Sequence, residues 1–316
     1  MSAVIVLKPG LLTTIQDRGR WGWQAQGVPV AGPMDPCSHR LANALAGNDP
    51  GAATLEVTLI GPELEFEDER VVAVAGAEFE MTVDGRGVPA NSAFVVASGS
   101  RLRFGARARG SRAYVAVAGG IAVPLVLGSR ATHLISAMGG LEGRALKGGD
   151  RLPLGDPMRA RRAMSVQPLT PIVALPGTHA HIRVLAGPQQ DYFTRDALDV
   201  LQSRPYTISH QSDRMGFRLD GPALAHARGA DIISDATPLG VLQVPASGQP
   251  IVLMADRQTA GGYPKIATVI AADISIAGQL GPGDTMTFRV CSLADALSAL
   301  IAQERALMAV EASAAP

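Results

Sequence analysis

Glycine and proline interrupt this chain so often that long regular elements have little room. Its 316 residues hold 35 glycines and 22 prolines, set between short apolar runs. Glycine admits left-handed backbone and proline removes an amide donor, so both end elements and turn the chain. Short apolar runs between such breaks read as strands. Residues 4–7, 71–75, 93–96, 101–104, 113–118, 181–185, 251–255 and 286–290 fit that description. The expected fold is therefore mainly β.

Three segments carry a helical pattern instead. Residues 36–46 have Asp35 as N-cap, Pro36 at the first helical position, Leu41 and Leu45 on one face, and Gly47 as terminator. Residues 190–201 place Phe193, Ala197, Leu198 and Leu201 on one face. Residues 293–310 follow Ser292, with Asp295 completing a capping box and Leu293, Leu297, Leu300 and Ile301 at helical spacing.

Residues 155–176 are basic, proline-bearing and unpatterned, so they read as a link between two halves, residues 1–160 and 177–316. The cluster Arg159, Arg161 and Arg162 reads there as solvated linker surface. The halves echo each other. KGGDRLPL at 147–154 matches GPGDTMTF at 281–288, each a Gly–Asp turn feeding a strand, and each lies downstream of an apolar strand and a glycine pair. Two copies of one β-barrel unit would produce this echo.

Lys plus Arg and Asp plus Glu both number 28, which gives no case for a nucleic-acid or membrane-surface protein. Apolar residues make up 47% and charged residues 18%, a globular balance. No apolar run is long enough for a membrane span, and residues 4–7 read as a strand rather than a signal peptide. Cys37 and Cys291 form no closely spaced pair, so a reducing cytoplasm is the simplest setting. The sequence has no GxxxxGK[ST], HExxH, CxxC or GxSxG motif. His179 and His181 share a strand face but have no third ligand nearby, so no metal site is expected.

Chemistry is concentrated in three polar blocks. In the first, an apolar run at 251–255 ends in Asp256, Arg257, Gln258 and Thr259, followed by Gly261, Gly262, Tyr263 and Lys265. Polar groups at a strand end beside a flexible turn are how a rigid scaffold presents a site. Asp256 offers acceptors, Gln258 offers donor and acceptor, and Lys265 offers a mobile cation. Gly261 and Gly262 let backbone amides approach a ligand. A plain turn with a surface ion pair fits the same residues. In the second block, Ser212, Asp213 and Arg214 precede Met215, Gly216 and an amphipathic strand, and Arg214 could fork onto a carboxylate or phosphate. A turn in which Asp213 caps amides and Arg214 meets a neighbouring acid is the alternative. The third block spans 14–48. There Asp35 is first a cap, and Asn43, on the helix face away from the leucines, would read an amide if buried and stay idle if exposed.

The segments TIQDRGR, GVPVAGPMD, RLANALAGN, LEVTLIGPEL, SDRMGFRLDG, TPLGVLQVP and ADRQTAGGYPKIA occur in that order. Together they resemble the allophanate hydrolase subunit 2 / biotin-dependent carboxyltransferase-like family, which includes the 5-oxoprolinase C subunit and the carboxyltransferase region of urea carboxylase. The resemblance implies tandem cyclophilin-like β-barrels with a few short helices and a C-terminal helix. It implies two partners, a B subunit related to allophanate hydrolase subunit 1 and a lactam-binding A subunit. The activity it implies is ATP-dependent opening of 5-oxoproline to glutamate, with ATP used through the complex. Carboxyl transfer from biotin to a urea-like amide is the alternative, and a non-enzymatic antagonist of a kinase inhibitor is another. The residues it points to are Asp256 and Lys265 for catalysis. Gln258, Asp213, Arg214, Gln243 and Asn43 are its substrate contacts, joined by Gly261 and Gly262 from the backbone argument above.

Overall fold

The computed structural model describes residues 2–157, 172 and 174–313. The chain forms two compact units. One comprises Met1–Arg20, Ala31–Leu175 and Glu304–Pro316, and the other Trp21–Val30 and Pro176–Gln303. The expected division at 160/177 thus differs at two places. Trp21–Val30 packs with the second unit, and the end of the chain packs with the first. The basic cluster Arg159, Arg161 and Arg162 lies outside the described residues.

The first unit contains β1 (Ala3–Lys8), β2 (Leu12–Gln16), β3 (Thr54–Thr58), β4 (Glu63–Phe66), β5 (Arg70–Val83), β6 (Arg86–Val88), β7 (Ser92–Val96), β8 (Arg101–Val117) and β9 (Arg151–Pro153). They form one sheet in the order β2-β3-β8-β4-β1-β9, with β5 pairing β6, β7 and β8. The runs expected at 101–104 and 113–118 are two ends of the single long strand β8. Its pairing with β5 shifts register near Gly76–Met81, as at a β-bulge.

Alternation along β5 and the C-terminal half of β8 explains why 71–75 and 113–118 read as continuous apolar runs. Val72, Val74, Val115 and Val117 face one core. Ala73, Ala75, Tyr114 and Ala116 face another, built against Leu41 and Leu45 of helix α1 (Pro36–Leu45). The alanines let the helix approach closely. Asp35 caps α1 through Ser38 N–H at 2.9 Å, Pro36 opens it, and Gly47 ends it with φ +73°.

The second unit contains β10 (His179–Ala186), β11 (Tyr206–Ile208), β12 (Gly216–Asp220), β13 (Asp235–Ala236), β14 (Val241–Gln243), β15 (Ile251–Leu253), β16 (Ala260–Gly261), β17 (Lys265–Val269) and β18 (Thr285–Val290). Seven of these close a barrel in the order β10-β17-β14-β15-β12-β11-β18, and β13 and β16 form a small ribbon. Mainly β architecture with one closed barrel and one open sheet is the observed form of the expected barrel pair. The echoed turns are structural equals. Gly149 and Gly283 have φ of +90° and +88°, and Asp150 and Asp284 each accept the N–H three residues upstream, at 2.7 and 2.8 Å.

The helix expected over 190–201 is a 3₁₀ turn, Gln190–Tyr192, followed by helix α2 (Ala197–Ser203). Phe193 is extended because it bridges His226, and Thr194 N–H bonds Ala225 O, which pulls the chain out of the helix. Helix α3 (Ala271–Gly278) was not expected. Helix α4 (Leu293–Ser313) starts on a reciprocal capping box, with Asp295 N–H to Ser292 Oγ and Ser292 N–H to Asp295 Oδ2. Its last turns belong to the first unit, where Glu304 and Glu311 grip Arg40.

Candidate functional site

The register of the barrel builds the site. Phe217, Val252, Leu242 and Ala267 stand opposite one another across β12, β15, β14 and β17, and all four are buried. This row fills the barrel interior. One residue along β12, β15 and β14, the row is Arg218, Ile251 and Gln243, and a register shift sets Lys265, two residues from Ala267, opposite Gln243. Side chains alternate in a strand, so Arg218, Ile251 and Gln243 face outward. A cavity of about 270 Å³ opens on that outer face. Its floor comes from Gly216, Arg218, Gln243, Ile251 and Leu253, one wall from Gln211, Asp213 and Met215, the other from Gln258 and Tyr263.

Two glycines keep this space open. A Cβ on Gly216 would meet Val252 O at 2.9 Å, and one on Gly261 would meet Gln243 Nε2 at 2.6 Å. Gly261 pairs with Asp235 in the β13–β16 ribbon, and Gly262 O accepts Ile232 N–H. The glycine pair therefore makes room for a side-chain amide and uses its backbone in the ribbon.

Gln243 and Gln258 form an amide pair, with Gln258 Nε2 donating to Gln243 Oε1 at 3.2 Å. Among the described residues, Gln243 Nε2 has only a long contact to Tyr263 O, 3.5 Å. The pair thus keeps donor and acceptor capacity for a guest. Gln258 is anchored by its backbone, whose carbonyl accepts Thr237 Oγ1–H, while Arg257 Nε donates to Thr237 O at 2.9 Å. Burial pushes the Arg257 guanidinium below its ordinary pKa, and neighbouring Asp256 opposes that shift.

The two polar blocks of the second unit do meet. Asp256 N–H donates to Arg214 O at 2.8 Å, and Met254 N–H to Met215 O at 2.8 Å. Arg214 forks onto Asp256, Nε to Oδ2 and Nη2 to Oδ1, both at 3.0 Å, with both side chains buried. Asp213 Oδ1 accepts the amides of Met215 at 2.8 Å and Gly216 at 3.4 Å.

The expected catalytic pair is placed differently from expectation. Asp256 is taken up by Arg214 and does not line the cavity. Lys265 is 1% exposed and pairs with Asp235 at 3.2 Å, also away from the cavity. The Lys265 ammonium holds the Asp235 carboxyl below the usual carboxylate range. Arg214 is likewise unavailable to an outside anion. Asn43 belongs to the first unit, fully buried, donating to Ala52 O at 2.8 Å and accepting from Asn48 at 3.1 Å, so it pins the end of α1. Gln16, Asp17 and Arg20 of the first motif do similar work. Asp17 accepts Ser129 Oγ and Arg130 N, and Arg20 donates to Val126 O and Ala131 O.

The sequence reading missed Arg218, Asp235 and Thr237. Arg218 had a usable signal, a charged residue between the buried Phe217 and Leu219 on an alternating strand. Asp235 and Thr237 carried none, because only the ribbon pairing brings them to Lys265 and Gln258.

Comparison with known proteins identifies this architecture. The chain is 42% identical to the 5-oxoprolinase C subunit of Escherichia coli K12 over 95% of each chain. It is 37% identical to the Haemophilus influenzae protein of the same name, over 90% of this chain and 89% of that one. The crystal structure of Kluyveromyces lactis urea carboxylase superposes with a TM-score of 0.90 at 33% identity. That match covers 99% of this chain and 30% of the longer one. Residues 26–290 match the family described as carboxyltransferase domain, subdomain A and B, and the chain belongs to that family.

Proposed function

We propose that the chain is the C subunit of an ATP-dependent 5-oxoprolinase complex, and that the cavity on the second unit holds the lactam. One observation carries the reading: a pair of side-chain amides, Gln243 and Gln258, with hydrogen-bonding capacity to spare, in a small cavity floored by Ile251 and Leu253. A lactam presents one N–H and one C=O on the same edge. An amide pair meets both without a formal charge and sets the ring against the apolar floor. The names of the Escherichia coli and Haemophilus influenzae relatives support the same reading.

Asp256 and Lys265 then act by position. The Arg214–Asp256 fork fixes the strand ends that carry Asp213 and Gln258, and the Lys265–Asp235 pair fixes the ribbon that leaves room for Gln243. ATP supplies the driving force for lactam opening. The cavity does not fit a triphosphate, since its lining offers one guanidinium, Arg218, against one carboxylate, Asp213. Nucleotide binding falls to a partner. The complex, made with the lactam-binding partner and the relative of allophanate hydrolase subunit 1, works in the cytoplasm.

The test is reconstitution. The chain alone should neither hydrolyse ATP nor release glutamate, and adding both partners should give 5-oxoproline-dependent ADP and glutamate. A well-folded trio that makes no glutamate rejects the proposal. The likeness to urea carboxylase favours a second reading, carboxyl transfer to a urea-like amide from biotin brought by a carrier. Carboxylation of urea by the chain supplied with carboxybiotin would establish it in place of the first.

A further inference from the structure

We infer that Arg218 is the specificity determinant of this cavity, selecting amides that carry a carboxylate over neutral ones such as urea or a plain lactam. The inference rests on the reading that the cavity takes a small amide. Arg218 and Gln243 flank Ile251 in one cross-strand row, so their backbones lie about 10 Å apart, two strand spacings. An arginine and a glutamine lining the cavity from those positions bracket a ligand with an amide at one end and an anion at the other.

The guanidinium of Arg218 is exposed, lines the cavity, and has no hydrogen-bond or ion-pair partner among the described residues. Arg214 and Arg257 nearby are both consumed, by Asp256 and by backbone carbonyls. Asp213, the carboxylate in the cavity wall, turns Oδ1 to the amides of Met215 and Gly216 rather than to Arg218. An arginine fork left open beside an amide pair is matched by a carboxylate, which it can bind through two parallel N–H···O bonds. Urea has no anionic group for it.

The experiment uses the reconstituted complex with 5-oxoproline as substrate and 2-pyrrolidinone, the same ring without its carboxylate, as competitive inhibitor. Arg218→Gln should raise KM for 5-oxoproline at least tenfold and leave kcat and the inhibition constant of 2-pyrrolidinone within twofold, with Arg218→Lys in between. An unchanged KM, or equal weakening of both ligands, overturns the inference. Saturation-transfer NMR of the chain with each ligand reads the same preference without turnover. A trio without activity whose chain still prefers the anion through Arg218 would reject the oxoprolinase reading and keep this one. No preference for the anion in the wild-type protein overturns this one.

Discussion

Asp256 separates two views of the site. A carboxylate acting on substrate would lose activity on conversion to Asn while the fold stayed intact. A carboxylate buried in a two-point grip on Arg214 behaves otherwise, because its loss strands a guanidinium away from water. Removing one partner of such a pair costs about 3–5 kcal/mol, much more than an exposed pair would. Asp256→Asn should therefore lower the unfolding free energy by about 3 kcal/mol or more in urea titrations. The double change Arg214→Met, Asp256→Leu should recover part of that loss. A stable Asp256→Asn protein without activity would return the residue to catalysis. The sequence could not decide this. It displayed Asp256 and Arg214 as neighbours of polar turns, 42 positions apart, and the pairing exists only through the alignment of their two strand ends.

At the level of elements, legibility followed the local character of the signal. Helix α1 was readable to within one residue, 36–46 against Pro36–Leu45, because Asp35, Pro36 and Gly47 each act on their own backbone. Helix α3 was not, because AADISIAG is buried nearly all round and shows no polar face for a period to appear in. The strands were visible as runs, whereas their register was not, and register alone sets Arg218, Ile251 and Gln243 in one row. Gln243 came into view through family resemblance, and Arg218 was passed over. Gly261 of the β13–β16 ribbon controls where the amide pair sits. In Gly261→Ala the new Cβ falls 2.6 Å from Gln243 Nε2, the far end of a flexible side chain that can swing aside at little cost in stability. The amide pair is what shifts. We expect kcat/KM of the complex to fall about ten- to a hundredfold, as for other sub-ångström to ångström misplacements of binding groups. Circular dichroism melts should stay close to wild type. A normal kcat/KM would mean that Gln243 does not touch the substrate.

For the molecule as a whole, polar residues divide into those that hold the fold and those left available, and in the first unit the former dominate. Beneath α1 lies a sealed polar layer. Glu56 accepts Tyr114 Oη–H at 2.7 Å and Met34 N–H at 2.8 Å, and Tyr114 Oη accepts Asp35 N–H at 2.8 Å. His39, 1% exposed and edge-on to Tyr114, sits in the same layer, and its Nε2 has no hydrogen-bond partner among the described residues. Burial lowers its pKa from 6.5 to about 4, although Asp17, Glu56 and nearby backbone carbonyls pull the other way. The folded chain therefore keeps His39 neutral while the unfolded chain takes up a proton below about pH 6.5. Stability is complete above that pH and declines as pH falls from about 6.5 through about 4, by about 3 kcal/mol at the lower end. Calorimetry between pH 7 and pH 4 should show a transition moving steadily down in temperature, beyond the drift shared with His39→Gln, which has no proton to gain. Equal slopes for the two proteins would place the acid sensitivity in the carboxylates. The second unit's cavity, by contrast, has no histidine among its lining residues, so substrate affinity near neutral pH should be far less sensitive to protons than the fold of the first unit.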